Sequence, residues 1–461
     1  MNLKEHMKRA WSITFLGLAL IFSLLCSGCS KKDQEATTNP VVAVQTLNKV
    51  GSCVDCHKNY EALKKMASPD TSSDTGGCGG DAPHIDPYDR VYLGGDGYTA
   101  FAASTHGKQR CTSCHGGIDS TENKVLAHSG NFIKHPSTQA ETKCTPCHST
   151  TSHFASSIHS QGWGQKSMVA LRAGVSSFND LPASMKNGYE VNCAKCHAGC
   201  GDCHVNRPKA GGGGLYKGHQ FRKTPDMRDN CIACHTSRGG HAYLGIATGT
   251  VPDVHLTKLG NGHCLNCHNG SELHGDGESY DQRYKVAALP KCESCHSDLV
   301  AKNTYHAMHL TTFNCQTCHS QDYNNCGSCH IGGLGARVPS YQGFKIGINP
   351  IPQTKSYKYA TLRQSLTAPD SWKEYGISLL AKFDVRPTYK YTTPHNIIRW
   401  TRRTKVDAGR SCFDNCHVIK EGTTYRNKNL YLFNSDLQSW EVTADSSIIV
   451  DGKLPASWDV R

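Results

Sequence analysis

The residues best suited to chemistry lie in Cys193-Ala-Lys-Cys196-His197-Ala-Gly-Cys200-Gly-Asp-Cys203-His204, two Cys-x-x-Cys-His units with two residues between them. Paired thiols followed at once by an imidazole suit a macrocycle held through two thioethers, with the histidine as axial ligand to its iron. This is the covalent c-type haem pattern. The first cysteines of the two units are seven residues apart. That separation spans roughly 25 Å if extended and about 10 Å if helical. Macrocycles anchored so closely are neighbours, as electron hopping requires.

The pattern recurs along the chain. Its cysteine pairs and histidines are Cys53, Cys56 and His57; Cys111, Cys114 and His115; Cys144, Cys147 and His148; the two units above; Cys231, Cys234 and His235; Cys264, Cys267 and His268; Cys292, Cys295 and His296; Cys315, Cys318 and His319; and Cys326, Cys329 and His330. An eleventh, Cys412-Phe-Asp-Asn-Cys416-His417, has three residues between its cysteines. Zinc ribbons and redox dithiols also use Cys-x-x-Cys. Neither accounts for a histidine after the second cysteine eleven times over, and the expectation is about eleven haem c groups.

Each iron needs a second axial ligand. Outside the motifs and the leader, the candidates are His84, His106, His128, His135, His153, His159, His219, His241, His255, His263, His274, His306, His309 and His395. Beyond the leader the only methionines are Met66, Met168, Met185, Met227 and Met308. Fourteen histidines for eleven irons predict mainly bis-His ligation. Methionine would raise the potentials, and it is too scarce to be the rule. His106 and His263 stand close before motifs, and His306 and His309 would share a face if helical. His395 is the free histidine nearest the last motif.

These groups must be carried by a chain with little apolar material. Only 37% of its 461 residues are hydrophobic and 8% aromatic, against 25 Cys and 26 His. That is thin for conventional cores in a chain of this length. The predicted fold is a multihaem cytochrome c: mostly coil with short helices wrapped around a haem array, and a small β content near the C-terminus. Helices are expected at Lys166–Arg172 and at Asp370–Lys382, the latter capped by Asp370 or Ser371. Strands are expected at Leu430–Phe433 and Ser447–Val450. Gly211–Gly214 reads as a flexible joint.

Four regions follow. Residues 1–28 form a lipoprotein signal peptide: Lys4, Lys8 and Arg9 precede a 15-residue apolar run, short for a membrane span of about 20 residues. Ser27-Gly28-Cys29 places lipidation at Cys29, with soluble periplasmic export as the alternative. Residues 29–50 form a tether, residues 51–330 a ten-haem region, and residues 331–461 an aromatic and basic region with the eleventh motif. The net charge of +12 does not point to nucleic acid, because haem propionates would take up the excess cations. Arg399, Arg402 and Arg403 read as propionate partners or, alternatively, as donors of an anion pocket beside the last haem. Cys78 reads as a buried thiol and Ser68–Asp89 as a solvated acidic loop.

With Thr105-His-Gly107, Cys111-x-x-Cys-His-Gly-Gly117, Cys200-Gly-Asp-Cys-His204 and Thr393-Pro-His-Asn396 in view, the chain resembles multihaem c-type cytochromes of metal-respiring bacteria. It also resembles, less closely, octahaem tetrathionate reductases and hydroxylamine oxidoreductases. Eleven motifs and no Cys-x-x-Cys-Lys variant depart from the latter group. The first resemblance implies electron transfer along the haems in respiratory or extracellular electron transfer. The partners would be redox proteins or membrane and extracellular acceptors, with the protein on the outer membrane through Cys29. A homo-oligomer or filament is compatible with this. The second implies a reductase of nitrogen or sulfur oxyanions at one open haem.

Overall fold

A computed structural model describes residues 52–69, 84–194, 197–260, 262–299, 303–324, 341–365, 367–421 and 423–456. The leader, Cys29, the tether, Cys78, Cys196 and the motif Cys326–His330 lie outside the described residues. The described chain is mostly coil and single-turn helices, with its small β content concentrated towards the C-terminus, in the coarse form expected.

Several of the short helices begin at the motifs for local reasons. Ser52 caps Cys53–Lys58 and Asp55 returns the bond, since its carboxylate accepts from Ser52 N at 3.1 Å. Ser411 and Asp414 repeat the box at Cys412–Cys416, and Asp202 accepts from Gly199 N at 2.7 Å ahead of Cys200–His204. These caps stabilise one turn, which places thiols three or four residues apart on one side of it.

The helix expected at Lys166–Arg172 spans Trp163–Ala173 and stops at Gly174, in the left-handed conformation (φ +84°) that ends helices. With Ala183–Asn192 it delivers an apolar face to a conventional core: Leu181, Met185, Tyr189, Trp372, Leu380, Phe383 and Ala444. The helix expected at Asp370–Lys382 does not form. Ser371 Oγ accepts from Ala368 N at 2.8 Å, Leu380 N donates to Pro369 O at 2.8 Å, and one turn, Lys373–Tyr375, ends at Gly376 (φ +80°). Burying Trp372 completely folds the segment into a loop, at the expense of helical hydrogen bonds.

The strands are β1 (Tyr323–Asn324), β2 (Tyr341–Gln342), β3 (Lys345–Ile348), β4 (Tyr359–Gln364), β5 (Tyr389–Tyr391), β6 (Ile419–Glu421) and β7 (Thr424–Arg426). They form an antiparallel sheet β3-β4-β5 and two hairpin-like pairs. Ile346 faces Thr361 across β3 and β4, and Leu362 faces Tyr391 across β4 and β5. The segments expected as strands, Leu430–Phe433 and Ser447–Val450, are single rungs beside this sheet instead. Leu432 N donates to Ile346 O, and Ile348 N to Ile448 O. Their apolar side chains fill the sheet's cores together with Phe313, Tyr359 and Val418. Gly211–Gly214 packs closely, with Leu215 N on Arg90 O at 2.8 Å, and a side chain at Gly214 would meet Arg90 Cα at 2.6 Å. It is a fixed turn, not a free joint. Among the described residues no helix is long and apolar enough to cross a membrane.

Candidate metal-ligating histidine pairs

Nine motif histidines each face one histidine from outside the motifs. The pairs are His57 with His128 (ring centroids 6.1 Å apart), His115 with His219 (6.1 Å), His148 with His106 (5.8 Å) and His204 with His274 (6.1 Å). The others are His235 with His159 (6.3 Å), His268 with His395 (5.9 Å), His296 with His255 (6.3 Å), His319 with His306 (6.1 Å) and His417 with His309 (6.2 Å). A metal bonded to two imidazoles at about 2 Å, with about 1.1 Å from nitrogen to ring centre, would hold the centroids about 6.3 Å apart. Ordinary aromatic packing also falls in this range. It does not impose a rule that every such pair join one motif ring to one non-motif ring, and the interplanar angles run from 11° to 89°. Rings packed on each other would favour an orientation. Ligands sharing a metal are free to turn about their bonds to it.

Hydrogen bonds to Nδ1 leave Nε2 as the ligating atom. Among motif rings, His57 Nδ1 bonds Val91 O (3.0 Å), His115 bonds Ile133 O (3.0 Å), His204 bonds Arg222 O (2.7 Å), His319 bonds Ile398 O (3.3 Å) and His268 bonds Glu272 (2.8 Å). Among their partners, His128 bonds Lys124 O (2.7 Å), His309 bonds Tyr305 O (2.8 Å), His255 bonds Asp253 (2.9 Å) and His395 bonds Thr393 O (3.2 Å). Such outer bonds fix the tautomer and orient a metal-binding imidazole. Burial pushes the ring pKa down at His57, His115 and His159, and at His219 to about 4. This keeps those rings in the neutral form that can ligate.

The facing rings do not follow proximity in the chain. His395 faces His268 and not the last motif. His306 and His309 share one face of the helix Thr304–His309 and face His319 and His417. His263, directly before Cys264, caps a turn: its Nδ1 accepts from Leu265 N and its Nε2 bonds Pro225 O at 3.1 Å, so both nitrogens are occupied. His84 lies 3.4 Å from Asp86. His135 and His153 are not set against a motif imidazole among the described residues, and His241 opens the helix His241–Leu244.

The thiols add connectivity that no spacing rule predicts. None of the cysteines in these contacts is in a disulfide. First cysteines meet in hydrogen-bonded couples: Cys53 with Cys111, Cys144 with Cys200, Cys231 with Cys264, and Cys292 with Cys315. In the first three couples one thiol is lowered to about 7 by its neighbour's bond. Further cysteines lie within electrostatic reach: Cys114 of Cys144, Cys203 of Cys231, and Cys292 and Cys295 of Cys267. Cys318 and Cys416 both act on Tyr431. Among the described residues, these bonded couples and electrostatic neighbours link the first, second, third, fifth, sixth, seventh, eighth, ninth and eleventh motifs.

Buried cations complete the setting. All three guanidinium nitrogens of Arg222, beside His204, are buried without a hydrogen-bond partner in the structure. Burial, reinforced by Arg172, Arg363 and Arg283, pushes Lys390 down to about 7. Cations with few polar partners are costly to shield from water, and both places would accept an acidic group. The arginine run behaves otherwise. Arg403 is buried, 3.0 Å from Asp322 and bonded to Thr317 O and Ser320 O. Arg402 also pairs with Asp322, at 3.2 Å, and Arg399 lies over Trp400. Arg403 is therefore a clamp on the ninth motif's loop and not a donor in an anion pocket.

No protein family, no curated protein and no solved structure matches the chain.

Proposed function

We propose that the protein carries electrons along about eleven covalently attached c-type haems, most of them held between two histidines. The observation that carries this reading is the set of nine motif-to-partner imidazole pairs, at centroid distances of 5.8–6.3 Å. Haem bound in these places would supply one-electron Fe(III)/Fe(II) cycling at low potential. The chain's own part is to fix where that cycling occurs. Main-chain carbonyls of Val91, Ile133 and Arg222 aim the motif rings. Contacts between successive motifs keep one site beside the next. No acid–base group is required for such transfer.

The same reading makes the protein an outer-membrane lipoprotein, anchored at Cys29 and passing electrons between redox proteins and a membrane or extracellular acceptor. The test is intact mass of the exported protein combined with an optical redox titration. Eleven haem masses, and a set of low-spin absorption changes spread over negative potentials, are expected. A polypeptide without haem, or one whose spectrum ignores reductant, would overturn it. The reductase reading draws nothing from Arg403, which is already engaged.

A further inference from the structure

One phenylalanine stands between the imidazole pairs of the second and third motifs. Phe221 lies flat on His106, with centroids 4.1 Å and planes 7° apart, and stacks beside His219 at 5.3 Å and 24°. His219 faces His115, and His106 faces His148. The rings therefore run His115, His219, Phe221, His106, His148, and a single side chain touches the non-motif imidazole of both pairs. Phe132 makes a looser contact of the same kind one step earlier, 4.7 Å from His128 and 6.5 Å from His115.

The chain goes to some length to hold these rings. Lys217, Gly218 and His219 are all left-handed, with φ of +44°, +66° and +79°. That conformation is uncommon and strained for lysine and histidine, and it persists only where surrounding structure enforces it. The helix Gly95–Ala103 does so. A side chain at Gly97 would collide with Lys217 O, and one at Gly218 with Gly94 O. The same helix supplies Phe101, 4.6 Å from His219 and 5.7 Å from Phe221. A side chain at Gly107 would in turn strike Phe101 O, so the segment carrying His106 is folded back on this helix too.

We propose that Phe221 is a positioning residue shared by the second and third haem sites: it sets the planes of His219 and His106 together, so both irons take their ligand orientation from one side chain. The facing planes are crossed at 77° at the second motif and nearly aligned at 11° at the third. Crossed and aligned imidazoles split the orbitals of low-spin ferric iron differently. The first gives a highly anisotropic EPR signal and the second a rhombic one, so each site has its own signature.

The proposal rests on the haem reading above, and intact mass separates the two. In the oxidised full-length protein, His219→Met and His106→Met assign the two EPR components. Phe221→Leu should keep eleven haems and shift both assigned components, and Phe221→Tyr should leave both where they were. Phe101→Leu removes a ring set against His219 and not His106, so it should shift the crossed component alone. This second variant keeps the test open if Phe221→Leu is not exported. Eleven haems with one or neither component moved by Phe221→Leu would overturn the proposal and leave the electron-carrier reading standing. So would a shift of the aligned component by Phe101→Leu, whereas a chain without haem would overturn both.

Discussion

The tautomer of each imidazole decides whether it can serve as a ligand. His274, set 6.1 Å from His204, is a useful test because no other residue is called upon to replace it. His274→Met should leave haem attachment intact, since the thioethers and His204 are untouched, and raise the potential of one site on the order of 0.1 V. Potentiometric titration would register one component moving upward. A titration curve unchanged throughout would mean that His274 ligates nothing. At this scale the sequence was readable for identity but not for pairing. The motif cysteines and histidines announce themselves by spacing, whereas His395 with His268 joins residues 127 positions apart in the chain, a contact that no local pattern encodes.

Among the elements, the sheet β3-β4-β5 and the clamp on the ninth motif hold the C-terminal part together by ordinary means. Arg403 and Asp322 are both largely buried, at 4% and 9% side-chain exposure. Arg403→Ala would take from the buried Asp322 carboxylate one of its two arginines, leaving Arg402 and Phe344 N as its partners, at a cost of about 1–3 kcal/mol, measurable by denaturant unfolding. A second test concerns Thr388, whose single hydroxyl proton faces both Glu441 (2.7 Å) and Asp445 (2.6 Å). One carboxyl must therefore carry a proton. Burial, then the neighbouring Glu441, pushes Asp445 up to about 6. The folded state holds that proton over a range where the unfolded chain has released it, so stability falls as pH rises from about 4 to 6. Asp445→Asn should flatten that part of the profile when thermal unfolding is followed against pH. The helix expected at Lys166–Arg172 lies inside the longer Trp163–Ala173, whose C-terminal stop at Gly174 was not read. The sequence misled at Asp370–Lys382, where burial of Trp372 prevails over helix propensity.

Across the whole molecule, low apolar content and dense Cys-His spacing were enough to foresee coil and short turns. The order of the sites was not legible, because it depends on contacts such as Cys144 with Cys200 between residues 56 positions apart in the chain. This ordering has a consequence for conduction. Replacing Cys231 and Cys234 by Ala removes a central site from the series and should sharply slow electron transfer from one end to the other. An end-to-end rate left unchanged in an electrode-coupled measurement would remove the basis for the order.

The account's central claim is that facing imidazoles are the two axial ligands of single irons. Near-infrared magnetic circular dichroism of the fully oxidised protein, calibrated to total haem, tests it most directly. The account predicts a bis-histidine charge-transfer intensity equivalent to at least nine haems. An intensity matching only a few, with the remainder high-spin or methionine-ligated, would contradict it.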